Sequence, residues 1–183
     1  RLDALCASLA ERGTRSLLVI RHDRIAYEWY ENGRDATRRH YTASLAKALV
    51  GGTSLLLALS DRRMALDDRA CKYIPAWRDD PQKTEITIRH LATHSSGIED
   101  AELSQRDRAL ALARGKSLSA HHMELPGWKG AFWRKEPDPF SIAIHEAPVV
   151  FEPGTQYAYS NPGIGMLTCC VTAALRRTPW PDV

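Results

Sequence analysis

The residues best placed to do chemistry are Ser44 and Lys47, in the tetrapeptide Ser44-Leu45-Ala46-Lys47 that opens a long apolar stretch. Three residues apart on a helix, a hydroxyl and an amine lie on one face, one above the other. A serine hydroxyl is a weak nucleophile until a neighbouring base takes its proton. A lysine one turn away becomes that base where its surroundings favour the neutral amine. At a helix start the backbone N–H groups are free and the dipole is positive, which suits a nucleophile passing through an anionic intermediate. The ordinary structural alternative is a serine near an N-cap with a lysine snorkelling to water. The tetrapeptide is common by chance, so its meaning depends on company.

Tyr159-Ser160-Asn161 is that company; it follows a turn signal at Glu152-Pro153-Gly154-Thr155 and precedes a helical stretch. A phenol relays a proton when a cation lowers its pKa. A carboxamide two residues on can donate to a substrate carbonyl and accept from a lysine. Asn161-Pro162-Gly163 is equally an ordinary turn and helix start.

Other side chains point elsewhere. His90 and His94 have a spacing that can hold a metal on a helix, but no Glu follows His90, so the zinc-protease pattern is absent. Structural, hydrogen-bonding histidines are the favoured reading; His121, His122 and His145 lie in an irregular region. Trp128, Phe132, Trp133 and Phe140 read as packing under loops ahead of a substrate cleft. Gly163-Ile164-Gly165 lacks the strand context of a phosphate loop. Cys6, Cys71, Cys169 and Cys170 have no CxxC or metal-ligand spacing, and the last two read as small buried residues.

The 183 residues suffice for one domain of moderate size, and 44% apolar with 26% charged residues marks a folded globular chain. The net charge of +3 is spread without a basic block, so no nucleic-acid or membrane partner is expected. The longest apolar stretch, Ala43 to Leu59, is interrupted by Lys47, Gly51, Gly52, Thr53 and Ser54 and falls short of the ~18 apolar residues of a membrane span.

The periodicity predicts a helix from Leu2 to Ala10, stopped at Gly13, then two strands, Ser16–Arg21 and Arg24–Tyr30, joined as a hairpin at His22-Asp23. A central, buried helix is expected from Thr42 or Ala43 to about Ser60, with Gly51-Gly52 explained by close approach of another backbone. Thr87 caps a short helix reaching His94 and stopped at Ser95-Ser96-Gly97. Residues 99–150 mix short helical pieces, and Gly163 to Leu175 is a helix behind the Tyr-Asn motif. Two strands make a marginal sheet, and the chain ends at Thr178-Pro-Trp-Pro-Asp-Val183 with no closing element, so a piece of a larger domain is expected.

Five segments, in order, resemble the serine β-lactamase and penicillin-binding-protein-like hydrolases, nearest to the class C β-lactamase type. Ser44-Leu-Ala-Lys47 is similar to the family's Ser-x-x-Lys motif and Tyr159-Ser-Asn161 to its Tyr-x-Asn motif. Ile88-Arg-His-Leu-Ala-Thr-His-Ser-Ser-Gly-Ile98 resembles "LLTHTSGL". Phe151 to Asn161 resembles "FxPGxxxxYSN", and Leu66-Asp67-Asp68 with Tyr73-Ile74-Pro75 resembles "LDDpv..ylP". The resemblance implies an α+β fold, an antiparallel sheet flanked by helices plus a mostly helical region. Residues 1–183 would form a single partial domain: 1–60 the hairpin and nucleophile helix, 61–158 the mostly helical region, 159–183 the second motif and its helix.

It also implies a serine hydrolase that cleaves an amide or ester through an acyl-enzyme: a β-lactamase, a D-Ala-D-Ala-type peptidase or an esterase. Ser44 would attack the carbonyl, Lys47 and Tyr159 would shuttle protons, and Asn161 would orient a small-molecule substrate; no metal or organic cofactor is implied. Relatives of this type usually work in the periplasm or outside the cell. The alternative is a penicillin-recognising binding or sensor protein that acylates without turnover. The family's third motif, Lys-Thr-Gly or His-x-Gly on a later strand, has no match in the 22 residues after Asn161. That strand normally supplies one oxyanion N–H, whose loss typically costs ~10²–10³ in rate. The 183 residues alone are therefore expected to be inactive or barely active.

Overall fold

The architecture is α+β, with one two-stranded antiparallel sheet and seven α-helices among the described residues of this computed structural model, 1–115 and 122–178. The expectations for His121 and for the last five residues lie outside that range. The chain divides into two compact units, Arg1–Ala43 and Ser44–Val183.

In the first unit, α1 (Leu2–Glu11) precedes β1 (Ser16–Arg21) and β2 (Arg24–Tyr30). The strands pair Ser16 with Tyr30 through Arg21 with Arg24, with a register irregularity between Val19 and Ile20. Alternation divides the faces: Leu17, Val19, Tyr27 and Trp29 are half-buried, whereas Leu18, Ile20 and Ile25 are exposed. Helix α1 lies over the half-buried face, with the buried Cys6 Sγ 3.3 Å from the Tyr27 hydroxyl, which donates to Asp3 at 3.3 Å.

The second unit is helical and built around α7 (Asn161–Arg176). Met166, Leu167, Cys169, Cys170, Val171, Ala173 and Ala174 on α7 are buried. They share one core with Leu55 and Ala58 of α2 (Thr53–Ser60), Ile88 and Leu91 of α3 (Ile88–Ala92), and Ala143 and Ile144 of α6 (Pro139–His145). Trp77 fills the same core, and its indole N–H donates to the Ile144 carbonyl at 3.2 Å. Two further helices, α4 (Gln105–Ala113) and α5 (Gly127–Arg134), lie between α3 and α6 in sequence. Trp128, Phe132 and Phe140 pack against the core, and the Trp133 indole donates to the Ala101 carbonyl at 2.9 Å.

Capping side chains set the helix starts. Thr87 accepts from His90 N at 3.2 Å while His90 Nδ1 accepts from Thr87 N at 3.3 Å, a reciprocal box at the head of α3. Ser104 and Asp107 form the same box on α4. Asp138 accepts from Phe140 N and Ser141 N at the head of α6, ahead of Pro139 at its first position.

The helix expected from residue 42 or 43 to Ser60 differs in two respects. It opens with a turn at Ala43-Ser44 and two α-helical residues, Leu45 and Ala46, widens into a π-helical stretch over Lys47–Gly52, and returns to α-helix in α2. It is also not buried as a whole: Leu45, Leu49, Val50, Leu56 and Leu57 are exposed, Leu55 and Ala58 of α2 are buried in the core, and Leu59 packs against it half-buried. A helix apolar on every side buries only the strip that meets a partner, here the strip against α7. The diglycine has a different cause from the expected close approach, because a Cβ at Gly51 or Gly52 would meet nothing within 4 Å.

Candidate active site

The site is built at the mouth of this helix and in two loops joined to one another. Ala43, at φ 45°, precedes Ser44, and Lys47 N donates to the Ser44 carbonyl at 3.0 Å, which closes the first turn. That turn stacks the two side chains, and Lys47 Nζ donates to Ser44 Oγ at 2.9 Å. The Tyr159 hydroxyl, 115 residues away in sequence, donates to the same oxygen at 2.9 Å. Lys47 Nζ also lies 5.4 Å from the centre of the Tyr159 ring. Ser44 is exposed, Lys47 half-buried, and Tyr159 36% exposed, so the three groups meet at a surface open to small molecules.

The loops after α3 and before α7 hold Tyr159 there. Ala158 N donates to the His94 carbonyl at 2.9 Å, Gly154 N to the Ser95 carbonyl at 2.8 Å, and Val150 N to the Gly97 carbonyl at 2.8 Å. Gly97 has φ 79°, and a Cβ there would lie 2.2 Å from the Phe151 carbonyl oxygen, so only glycine fits. Ser160, buried, caps α7 by accepting from Gly163 N at 2.9 Å.

His94 is the residue that sequence reasoning undervalued. Its ring stacks on Tyr159 at 4.6 Å between centroids, and its Nδ1 accepts from Ser160 N at 3.1 Å. It therefore grips the chain on both sides of the phenol and at the phenol itself. Burial, helped by the Lys47 charge and opposed by Asp100, holds its pKa below the usual 6.5, which keeps Nδ1 free to accept. His90 Nδ1 accepts from Thr87 N in the α3 cap and His94 Nδ1 from Ser160 N, and no group of three or more His, Cys, Asp or Glu placed to hold a metal occurs among the described residues.

Asn161 opens α7, and both its backbone N–H and its carboxamide nitrogen donate to Asp100 Oδ1, at 2.8 and 3.1 Å. Beside Lys47, an apolar groove of about 360 Å³ runs between the Lys47–Ser54 stretch and α7, lined by Val50, Ile164, Leu167 and Val171 among others. No helix among the described residues is long and apolar enough to cross a membrane.

Several solved structures share this fold. A β-lactamase candidate from Bacteroides dorei DSM 17855 superposes with a TM-score of 0.65 at 20% identity, over 98% of this chain and 47% of its own. A penicillin-binding protein from Bacillus halodurans gives 0.55 at 16% identity, over 97% and 52%. A D-stereospecific amidohydrolase from Streptomyces sp. gives 0.53 at 22% identity, over 85% and 43%. The chain thus spans about half the length of the solved structures it matches. No curated protein sequence matches it. The β-lactamase family model matches residues 2–182, nearly the whole chain, and the chain belongs to that family of serine β-lactamases and penicillin-binding-protein-like hydrolases.

Proposed function

We propose that the protein is a serine hydrolase that cleaves an amide or ester through an acyl-enzyme, with Ser44 as nucleophile, Lys47 and Tyr159 as proton carriers and Asn161 as the substrate-orienting group. The observation that carries this reading is the convergence of two proton-bearing groups on one hydroxyl, each 2.9 Å from Ser44 Oγ. Ser44 Oγ bonds to the substrate carbonyl carbon as its proton passes to whichever partner holds the basic form, neutral amine or phenolate. The collapse of the tetrahedral intermediate expels the amine or alcohol, which leaves with that proton. Water then adds to the acyl carbon and gives a proton to the same pair; as this second tetrahedral intermediate collapses, that proton passes to the departing Ser44 Oγ, and the acid is released with Ser44 and the pair restored.

Relatives named as a penicillin-binding protein and a D-stereospecific amidohydrolase support substrates with a compact amide, a β-lactam or a D-amino-acid amide. The test is a panel of nitrocefin, a p-nitrophenyl ester and a D-amino-acid amide, run on the full-length protein with intact-mass detection of the adduct. Turnover that falls on the order of 10⁴-fold or more in Ser44→Ala supports the hydrolase. A stable Ser44 adduct with no product release supports a sensor instead. Neither adduct nor turnover with any of the three overturns the reading.

A further inference from the structure

The carboxylate of Asp100 takes no part in the proton chemistry above, yet it is the only acceptor among the described hydrogen bonds of Asn161's N–H groups. Its oxygen Oδ1 receives both the backbone N–H that opens α7 and the side-chain amide nitrogen. An ionised carboxylate has no proton to donate, so the carboxamide atom facing it must be the NH₂ and not the oxygen. The flip state of Asn161 is thereby decided by chemistry: nitrogen toward Asp100, Oδ1 away from it.

The loop that presents Asp100 is anchored on both sides. Ile98 and Ala101 are fully buried. Glu99 N donates to the Pro148 carbonyl at 2.9 Å, and the Glu99 carboxylate pairs with the buried Lys129 ammonium at 2.8 Å. The Trp133 indole holds the Ala101 carbonyl. A carboxylate so fixed at the head of α7 also answers an otherwise free N–H and suits the positive end of the helix dipole.

We propose that Asp100 is a positioning residue: it locks the Asn161 carboxamide in one flip state and turns its oxygen, together with the second amide hydrogen, outward as the substrate-facing groups. The functional half of this statement rests on the orienting role given to Asn161 above; the structural half does not. A side chain pre-set by a charged acceptor need not be ordered when substrate arrives, which is where its effect on rate would arise.

The experiment has two arms. In the first, ¹H–¹⁵N spectra follow the Asn161 side-chain resonances, assigned by their loss in Asn161→Asp. The wild-type protein should show the two Nδ2 protons widely separated and protected from solvent exchange. Asp100→Asn, which keeps an acceptor oxygen, should retain that signature, and Asp100→Ala should collapse it to the position of a free carboxamide while the α7 backbone resonances from Met166 to Leu175 stay in place. Averaged, unprotected Asn161 protons in the wild type overturn the proposal even if Asp100→Ala fails to fold; so does an unchanged signature in a folded Asp100→Ala.

In the second arm, the acylation rate of Ser44 by nitrocefin or the p-nitrophenyl ester should fall about 10-fold or more in Asp100→Ala and less than about 3-fold in Asp100→Asn, with the loss in kcat/KM of the acylation step. Equal losses in the two variants overturn the positioning role. Absence of acylation in the wild type counts against the hydrolase reading, and the resonance arm still decides Asp100.

Discussion

His94 offers a test in which geometry, stability and pH must agree. Replacing it by alanine removes the acceptor of Ser160 N and strands that N–H in a buried segment, at about 1–3 kcal/mol. It also removes the ring stacked on Tyr159, worth about 0.5–1.5 kcal/mol. The total of about 1.5–4.5 kcal/mol corresponds to a fall in Tm of roughly 4–14 °C for a unit of this size. Asparagine is the informative control, because it keeps an acceptor near Nδ1, tolerates the φ of 55° and does not titrate. It should cost only the stack, about 1 kcal/mol.

The two variants must also differ from wild type in pH dependence. Well above pH 6.5 the His94 ring is neutral in the folded and unfolded chains alike, and pH exerts no effect through it. As pH falls through 6.5 the unfolded chain takes up the proton first, because the folded ring's pKa is depressed by burial and by Lys47 against the opposing charge of Asp100. Stability is therefore fully present above 6.5 and is lost progressively down to the folded ring's lower pKa. His90, whose pKa burial and Arg89 also lower, contributes a slope of the same sign, so the difference between wild type and His94→Asn isolates His94. Urea unfolding from pH 7.5 to 5 is the assay. A wild-type slope retained in His94→Asn, or an alanine variant within about 0.5 kcal/mol of the asparagine one, refutes the reasoning.

Three substitutions test other parts of the scaffold. Gly97→Ala adds a Cβ 2.2 Å from the Phe151 carbonyl oxygen at φ 79°, and should destabilise by roughly 3 kcal/mol, read by denaturant unfolding. Gly52→Ala has the opposite sign: at φ −62° and ψ −44° with nothing within 4 Å, it should stabilise by about 0.5–1 kcal/mol in the same assay. Lys129→Met leaves Glu99 and Asp107, each bonded to that ammonium within 2.8 Å, without a counter-charge, and should cost roughly 3 kcal/mol near neutral pH, with part of the loss recovered by Glu99→Gln in the same chain.

What could be read from the sequence follows from how local the causes are. The hairpin emerged with its ends in place, because the β-branched and aromatic run and the two-residue turn at His22-Asp23 are contiguous. Thr87 was legible as a cap for the same reason, although the partner half of its box is His90, an unusual residue for the role. The pairing of residues 94–99 with 148–158 was not legible, since single bridges such as Ile98 with Val149 leave no period in either segment. Spacing gave no hint that Tyr159 reaches Ser44; that expectation came from the resemblance alone. Nor could any pattern tie His94 to Ser160 or Asp100 to Asn161, contacts that span 66 and 61 residues. The burial expected of the helix from Thr42 or Ala43 to about Ser60 is met only at Leu55 and Ala58, because hydropathy reports what a helix can bury, while the geometry of its neighbours decides what it does bury.

The long separations in the site bear on how it comes into being. Closing loops of 61 and 115 residues sacrifices chain entropy before any bond is gained, and such contacts slow the search for the native topology. Hairpin and helices can flicker into existence on a microsecond scale, but the serine acquires its amine and phenol neighbours together only after distant stretches of polypeptide have docked. Nascent or partly denatured molecules would thus be chemically silent at this hydroxyl, and covalent tagging by an acylating probe would count natively assembled copies alone.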